Sequence, residues 1–465
     1  MAGAKVVQAI GPSYHLKDRK AAVQNAFNCF LQKLDGDNAM MAATPGEAQI
    51  ASFGVGCRGS RITQGRWFLV AGNTLYEMIP NGATPPAFTP LARATLLTYF
   101  GFVGMADNAT QLAIVDGPNL YVYNLTSNAM VRVTNPGWLG SDDVVEVDGY
   151  FIFVDPNTQI FYLSAIDDGT SENPLDFSSA DVSPNDIITH RVSHRQVWFF
   201  SAYNGEIWVD SGAALFPFVR YESYTLEVGI VGERAAINAA DTLFWIGQTR
   251  NGRGIVYMAQ GNQPRRVSNE AVEEALRGST DLTQATMWTY QRGGHEFIGI
   301  NAPGLTSTWV FDAAIQEWHE RGEWIAGPQQ LRSRLYVTLN GETYGADANG
   351  LVVRLDITAN TLAGRTLLRE RTWPHLMQDS LEPTCYRGLE LAMTTGSTLA
   401  GNVTLEISND GGYTFGTPLL RSLGAIGRVM QRVRWLGLGT AINRVFRIRV
   451  SDNVPFGIHQ ASVST

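Results

Sequence analysis

Turn pairs recur along this chain between short apolar runs, and they limit the folds open to it. Asn-Gly stands at Asn81, Asn204, Asn251, Asn340 and Asn349, and Asp-Gly at Asp35, Asp116, Asp148, Asp168 and Asp410. These pairs supply the positive φ angles of tight hairpins, and most are flanked by runs rich in Val, Ile, Tyr, Phe and Trp. A chain punctuated in this way folds as antiparallel sheet. The runs recur as a unit: an apolar strand, a turn, then a second strand built round an aliphatic–aromatic pair. Trp67-Phe68-Leu69-Val70 precedes Leu75-Tyr76, Leu112-Ala113-Ile114-Val115 precedes Leu120-Tyr121, and Tyr150-Phe151-Ile152-Phe153 precedes Ile160-Phe161. The series continues with Val197-Trp198-Phe199-Phe200 and Ile207-Trp208, then Leu243-Phe244-Trp245 and Val256-Tyr257. It ends with Phe297-Ile298-Gly299-Ile300 and Trp309-Val310, and a weaker Leu335-Tyr336-Val337 and Leu351-Val352. Second strands follow one another at about 40 to 55 residues, the period of a four-stranded propeller blade. Residues 65–356 therefore read as a β-propeller of six or seven blades. The alternatives are an irregular stack of β-meanders or a two-sheet sandwich with long insertions.

Helical spacing is scarce. Val23, Phe27, Phe30, Leu31 and Leu34 fall at i, i+4, i+7, i+8 and i+11, and Asn269 to Arg277 predicts a short helix stopped by Gly278. Residues 1–64 are expected to be an N-terminal arm with the first propeller-closing segment. Beyond Asp356 the rhythm changes. Residues 357–382, polar from Thr358 to Glu370, suit a linker or crossing arm, and 383–465 predict a compact β-sandwich-like domain. Its strands are Leu389 to Met393, Val403 to Ile407, Val429 to Trp435 and Val445 to Val450. In the last, Phe446, Ile448 and Val450 share one face and Arg447 and Arg449 the other. The fold class is all-β. The arms lack strand rhythm but carry large apolar residues, so self-association is expected to depend on them.

With 45% hydrophobic and 17% charged residues, the chain of 465 is too apolar for disorder and long enough for several cores. Its net charge of -8 excludes a basic nucleic-acid binder. Cys29, Cys57 and Cys385 have no disulfide-framework or zinc spacing. No apolar run reaches the roughly 18 residues of a membrane span, and the start has no signal-peptide pattern, so a soluble protein made in a reducing cytoplasm is expected. All four lysines, Lys5, Lys17, Lys20 and Lys33, lie near the start. From Ile357 onward eleven Arg face seven Asp and Glu, a local +4, so the residues before carry -12.

Few constellations carry chemistry. Ser408-Asn409-Asp410-Gly411-Gly412-Tyr413-Thr414-Phe415 fits the Asp-box pattern, a hairpin whose Asp carboxylate and hydroxyls bond turn N–H groups; it stabilises a turn and does not catalyse. Its residues Ser408, Asp410, Gly412, Thr414 and Phe415 are structural candidates. Trp318-His319-Glu320-Arg321 could pass for an acid–base cluster, but neighbours on a strand point to opposite faces. His190 and His194 precede a strand rather than lie on a zinc-protease helix. Asp142-Asp143 and Asp167-Asp168 are possible carboxylate pairs whose separation the sequence leaves open. No catalytic, cofactor-binding or metal-ligating residue is assigned. Arg432, Arg434, Arg444, Arg447 and Arg449 are candidate interface residues, with a solvated face as the alternative.

A set of ordered blocks resembles the packaged-DNA stabilisation protein family of P22-like short-tailed phages. The blocks are Gly11-Pro12-Ser13-Tyr14, Asn28, Thr44-Pro45-Gly46, Arg58-Gly59, Gly65-Arg66 and Gly72-Asn73-Thr74-Leu75-Tyr76-Glu77. Leu243 to Gln248, including Trp245 and Gly247, continues through Gly252 to Tyr257 and Pro264 to Ser268. Gly294-His295-Glu296-Phe297 follows, then Thr308-Trp309-Val310-Phe311-Asp312 and Trp318-His319-Glu320-Arg321, and last the hairpin at Asp410 with the arginine-rich strands. Trp245, Gly247, His295, Trp309, Trp318, His319, Glu320 and Arg321 are the most specific matches. The sequence departs at Cys29-Phe30, where an extended Asn-x-Tyr segment is usual and the spacing here is helical. The resemblance implies a tail nozzle or hub, a structural homohexamer below the portal and adaptor ring, without cofactor or enzymatic activity. Such a ring anchors tail fibres or spikes, is sealed by a plug or needle, and passes double-stranded DNA without sequence-specific binding. It belongs to the virion tail and is assembled in the bacterial host cytoplasm. Its acidic excess is expected at the lumen and the arginine strands 429–450 toward neighbouring proteins. The alternative class is a β-propeller glycosidase or glycan-binding adhesin.

Overall fold

Apolar runs become the middle strands of blades because a strand stacked between two neighbouring blades is covered on both faces. The computed structural model describes residues 5–6, 8–34, 38–182, 184–377, 381–397 and 400–465, so the expected turn at Asp35-Gly36 lies outside the described residues. Blade 1 comprises Cys57–Thr63, Arg66–Ala71, Thr74–Pro80 and Phe88–Thr95 in antiparallel order. Blade 2 runs from Gly104–Asp107 to Met130–Val133, blade 3 from Val145–Val147 to Asp168–Ser179, and blade 4 from Ile187–Ser193 to Phe218–Leu226. Blade 5 ends on Gln263–Arg266, and blade 6 runs from Thr286–Arg292 to Glu317–Arg321. Blade 7 takes Ser333–Leu339, Glu342–Asp347 and Leu351–Asp356 and borrows its fourth strand, Gly46–Ser52, from near the chain start. The first strands of successive blades touch in a closed ring, the seventh against the first. The fold is an all-β propeller plus sandwich.

Hairpin turns follow the chemistry of the turn pairs. Asp148 and Gly149 have φ of 54° and 91°, and Asn340 and Gly341 52° and 81°, the double left-handed pattern that matches strand twist. His194 and Arg195 adopt the same pattern without glycine, at 51° and 59°. The predicted helix is present as Glu270–Arg277, with the Asn269 side chain accepting from the Val272 N–H and Gly278 ending it.

The N-terminal segment departs from its helical spacing. Residues 23–34 form two strands, Val23–Phe27 and Cys29–Lys33, broken at Asn28 with φ of 53°. Tertiary partners on both sides of these strands override the periodicity: Val23–Phe27 lies between Arg369–Thr372 and the outer strand of blade 6. Two sheets make the sandwich. One orders Cys29–Lys33, Ala39–Ala43, Gly457–Ser464, Gly388–Met393 and Val433–Leu436; the other orders Val23–Phe27, Arg369–Thr372, Asn443–Val450, Asn402–Ser408 and Leu419–Ser422. Trp373, Trp435, Leu389, Leu405, Phe446 and Ile448 fill the space between them; each large apolar side chain so buried contributes about 1.5–3 kcal/mol.

Residues 1–64 and 357–382 thus supply strands to the propeller and to the sandwich. The propeller uses Gly46–Ser52 and Cys57–Thr63 ahead of residue 65. The sandwich uses strands from the expected arm, and residues 369–372 of the expected linker are a buried interior strand. Apolar residues of both arms, among them Phe27, Phe30, Met41, Leu362 and Leu367, are buried within the same chain. Leu34, Val55, Ile357, Met377 and Leu381 of the same stretches remain exposed.

Candidate functional site

The signature residues gather where propeller, N-terminal strands and sandwich meet. Glu317–Arg321 alternates its side chains. Trp318 packs on Phe311 at 5.0 Å and donates its indole N–H to the Val267 carbonyl at 3.0 Å. Glu320, on the same side, accepts from Ser307 Oγ and lies 2.7 Å from His15 Nε2. Burial alone would raise the Glu320 carboxyl, but His15 and Ser307 outweigh it and hold the group below its ordinary range. His319 points the other way, between Phe30 and Phe297 at 5.8 and 5.4 Å. Burial, then the Arg321 and His295 charges, push its imidazole well below its ordinary value, so it is neutral. Arg321 is fully buried, donates to the Pro45 carbonyl at 2.8 Å and covers the Tyr290 ring at 5.1 Å. His319 and Glu320 are thus not brought together.

His295 Nδ1 lies 2.6 Å from Asp312 Oδ2, and the Trp309 ring lies 5.5 Å from that of His15, tilted to it by 32°. Trp245 stacks on Tyr257 at 5.7 Å, and Gly247 sits so close beneath that ring that a Cβ would meet it at 2.5 Å. Asn28 fastens the junction. Its N–H donates to the Glu320 carbonyl at 2.8 Å, its side-chain amide to Gly322 and Leu368 carbonyls at 2.9 and 2.8 Å, and its Oδ1 accepts from Gly322 N–H at 3.0 Å. A buried asparagine satisfied on every side specifies one arrangement of three segments that are far apart in sequence. Sequence reasoning missed Arg369, Glu370 and Arg371, which complete this junction; a run of charges predicts solvent unless its partners are known.

On the strand that closes blade 7, buried Glu47 lies 3.8 Å from Arg365. Burial outweighs the opposing Arg321 and Arg365 charges and raises its carboxyl to about 7. A carboxyl raised on folding stabilises fully below its unfolded value near 4.3, and that contribution is lost as pH rises through the folded value. Wild type should therefore lose about 2–3 kcal/mol more than Glu47→Gln between pH 5 and pH 8. Denaturant unfolding at both pH values checks this; parallel pH profiles would refute it.

At the Asp-box, Ser408 Oγ donates to Asp410 Oδ1 at 2.6 Å, and Asp410 accepts from the Tyr413 and Thr414 N–H groups at 3.0 Å. Hydrogen bonds from Ser408 and Thr414 hold its carboxyl well below the ordinary range. Tyr413 reaches Asp18 at 2.9 Å, and Gly412 lies against Val23, so the turn clasps the N-terminal strand. Asp410→Ala is expected to cost about 1 kcal/mol. The carboxylate's contribution is full above about pH 3.9 and fades as pH falls toward the depressed value, which a pH series of thermal unfolding reads out.

Of the five arginines expected at an interface, Arg444, Arg447 and Arg449 require correction. Arg444 is fully buried, donating to the Leu438 carbonyl at 2.8 Å and lying over the Tyr386 ring at 4.6 Å. Arg447 pairs with Glu406 and covers Phe415 at 3.6 Å; Arg449 pairs with Glu370 at 2.7 Å and Glu406 at 3.2 Å. Asn443–Val450 is an interior strand, and its neighbours place these glutamates directly opposite in register. Arg432 and Arg434 stand largely exposed and share Glu390.

The remaining candidates are scattered. His190 is buried, with Nε2 3.0 Å from the Ile152 carbonyl, while His194 sits in a turn. Asp143 pairs with Arg191 at 2.8 Å, Asp142 is raised by burial and by Asp143, and Asp168 bonds Thr170. Cys29 and Cys57 are buried and Cys385 is exposed. A cleft of about 640 Å³ between blades 6, 7 and 1 is lined by Arg292, Glu342, Arg354 and Asp356. Its polar groups are engaged internally: Arg354 bonds Asp356 at 2.5 Å and Arg292 donates to the Ala43 carbonyl. Among the described residues no three His, Cys, Asp or Glu converge as metal ligands, and no helix is long and apolar enough to cross a membrane.

Comparison with known proteins matches residues 24–358 to the family described as bacteriophage P22 Gp10, beta-propeller, and residues 369–465 to bacteriophage P22 Gp10, beta-sandwich. No curated protein shows a significant match. Solved structures with similarity include the computationally designed Ika8 protein, 10% identical over 67% of this chain and 100% of that one, with TM-score 0.41. YCF48 bound to D1 peptide is 12% identical over 70% of this chain and 97% of that one, with TM-score 0.42. The N-terminal domain of Nup159 is 8% identical over 72% and 99%, with TM-score 0.40.

Proposed function

Because the chain belongs to the bacteriophage P22 Gp10 family, a family of phage structural proteins, we propose that it is the tail nozzle of a short-tailed phage. In this reading six copies form a ring below the portal and adaptor. The ring retains packaged DNA, conducts it during ejection and holds tail fibres or spikes, with a plug or needle closing its outer end. The observation that carries the reading is the succession, in one chain, of the family's propeller and sandwich domains over residues 24–358 and 369–465. Two physical features support it. Residues before 357 carry -12, and a like-charged wall lets DNA slide, whereas each Lys or Arg contact that releases counterions would retain it. The buried Asn28 and Arg371 networks weld both domains into one body, as a part loaded by packaged genome requires. A propeller glycosidase or adhesin would rest on the Asp-box, whose Ser408, Asp410 and Thr414 are bonded to one another within the turn.

Electron cryomicroscopy of the virion tail tests the reading. Sixfold density for this chain below the portal is expected; its absence from the tail, or a place elsewhere in the particle, refutes it.

A further inference from the structure

We propose that the free flank of the sandwich, residues 419–436, docks on the outer edge of blade 3 of a second copy of this chain. This rests on the ring reading and deepens it by naming both surfaces. Both sheets of the sandwich end at that flank. Leu419–Ser422 is the last strand of one and Val433–Leu436 of the other, joined by Arg421 Nε to the Arg434 carbonyl at 2.9 Å and Trp435 Nε1 to the Leu419 carbonyl at 2.8 Å. Leu420, Ile426, Val429, Met430 and Leu436 are exposed there, Met430 at 89%. Exposed Arg421, Arg428, Arg432 and Arg434 lie among them in the same stretch, with Glu390 shared by the last two. Unpaired sheet edges bearing clustered apolar residues mark an interaction surface.

The complement is on the propeller. Between Arg132 and Arg191 the chain has no Lys or Arg but eleven Asp and Glu, seven of them within blade 3 and the others in the connections on either side of it. Its outermost strand, Asp168–Ser179, exposes Leu175 at 80% and Phe177, and Val182 follows. Blade 4 adds Leu215, 94% exposed; neighbouring Phe216 packs on Phe161 at 5.8 Å, and Phe161 is paired with Ser178. Asp176 lies between Leu175 and Phe177 in the strand, and exposed Asp181 and Asp186 follow in the connection to blade 4. One edge is thus apolar and cationic, the other apolar and anionic. One chain carries both, so copies join head to tail, the arrangement that closes into rings. DNA matches the cations but has no counterpart for the apolar residues, which favours protein as the occupant.

The test uses phage particles assembled with charge-reversed full-length chains. Arg428→Glu with Arg432→Glu, or Asp176→Arg with Asp181→Arg, should each lower infectious yield and the chain's content of particles by about 100-fold, because like charges then face one another. Co-expression of the two variants should restore assembly, since each altered flank meets an altered edge. Met430→Asp and Leu175→Arg repeat the test at the apolar centre. Variants that enter particles at wild-type level, or that fail together as well as singly, overturn the proposal. Normal incorporation with faster DNA release assigns the flank to DNA and also overturns it. Absence of the wild-type chain from the tail would defeat the nozzle reading instead, and its presence without rescue defeats this surface alone.

Discussion

Replacing Arg371 by methionine should destabilise the folded chain by about 3 kcal/mol and release its N-terminal segment. The guanidinium is fully buried in the interior strand Arg369–Thr372 and donates to the carbonyls of Ala9 at 2.7 Å, Pro12 at 3.0 Å and Asn25 at 3.1 Å. Burial lowers its pKa to about 10, so it remains charged at neutral pH. Methionine matches much of the volume but takes the donor from three carbonyls, that of Ala9 buried and those of Pro12 and Asn25 partly buried, each a desolvation penalty. Arg371→Lys keeps the charge but lacks the planar fork, and an intermediate loss is expected. All four lysines lie in the first 33 residues, so a lysine-specific protease reports on this segment alone. Faster cleavage at Lys17 and Lys20, with a lower denaturant midpoint, is the expected pair of results. Wild-type cleavage and an unchanged midpoint would show that the segment is held by other contacts.

A fragment of residues 65–356 should fail to fold. It lacks Gly46–Ser52, the partner of Leu351–Asp356, and Cys57–Thr63, the partner of Arg66–Ala71. Two edges open at once, and Trp67, Leu69, Val352 and Val353, all buried in the whole chain, lose their cover. Exposed apolar edge strands pair with other chains, so aggregation is the expected outcome. Extending the fragment to residues 44–368 restores both strands and should recover soluble protein with a cooperative unfolding transition. A soluble, cooperatively unfolding 65–356 fragment would contradict this account of ring closure.

The two predictions mark the limit of what could be read from residue order. Each blade's middle strands were legible because their signal is local: an apolar run, a turn pair and another apolar run lie within about 15 residues. The helix at Glu270–Arg277 was legible for the same reason, with its Asn269 cap and Gly278 stop beside it. The alternation of Phe446, Ile448 and Val450 with Arg447 and Arg449 was legible as a strand, but the role of its arginines was not. Glu370 and Glu406, which neutralise them, lie about 40 to 80 residues away and meet them only across the sheet.

Residue order carries the all-β character, the blade period, the Asp-box turn and the family to which the ordered motif blocks point. Tertiary contacts decide that residues 23–34 are strands, which strand of residues 1–64 closes the ring against Leu351–Asp356 about 300 residues further on, and that the charged run at Arg369–Thr372 is interior. The physical reason is common to all three. Local patterning reports how a segment would bury its own apolar residues, whereas a buried charge or a closing strand is stable only through hydrogen-bond partners supplied by distant parts of the chain.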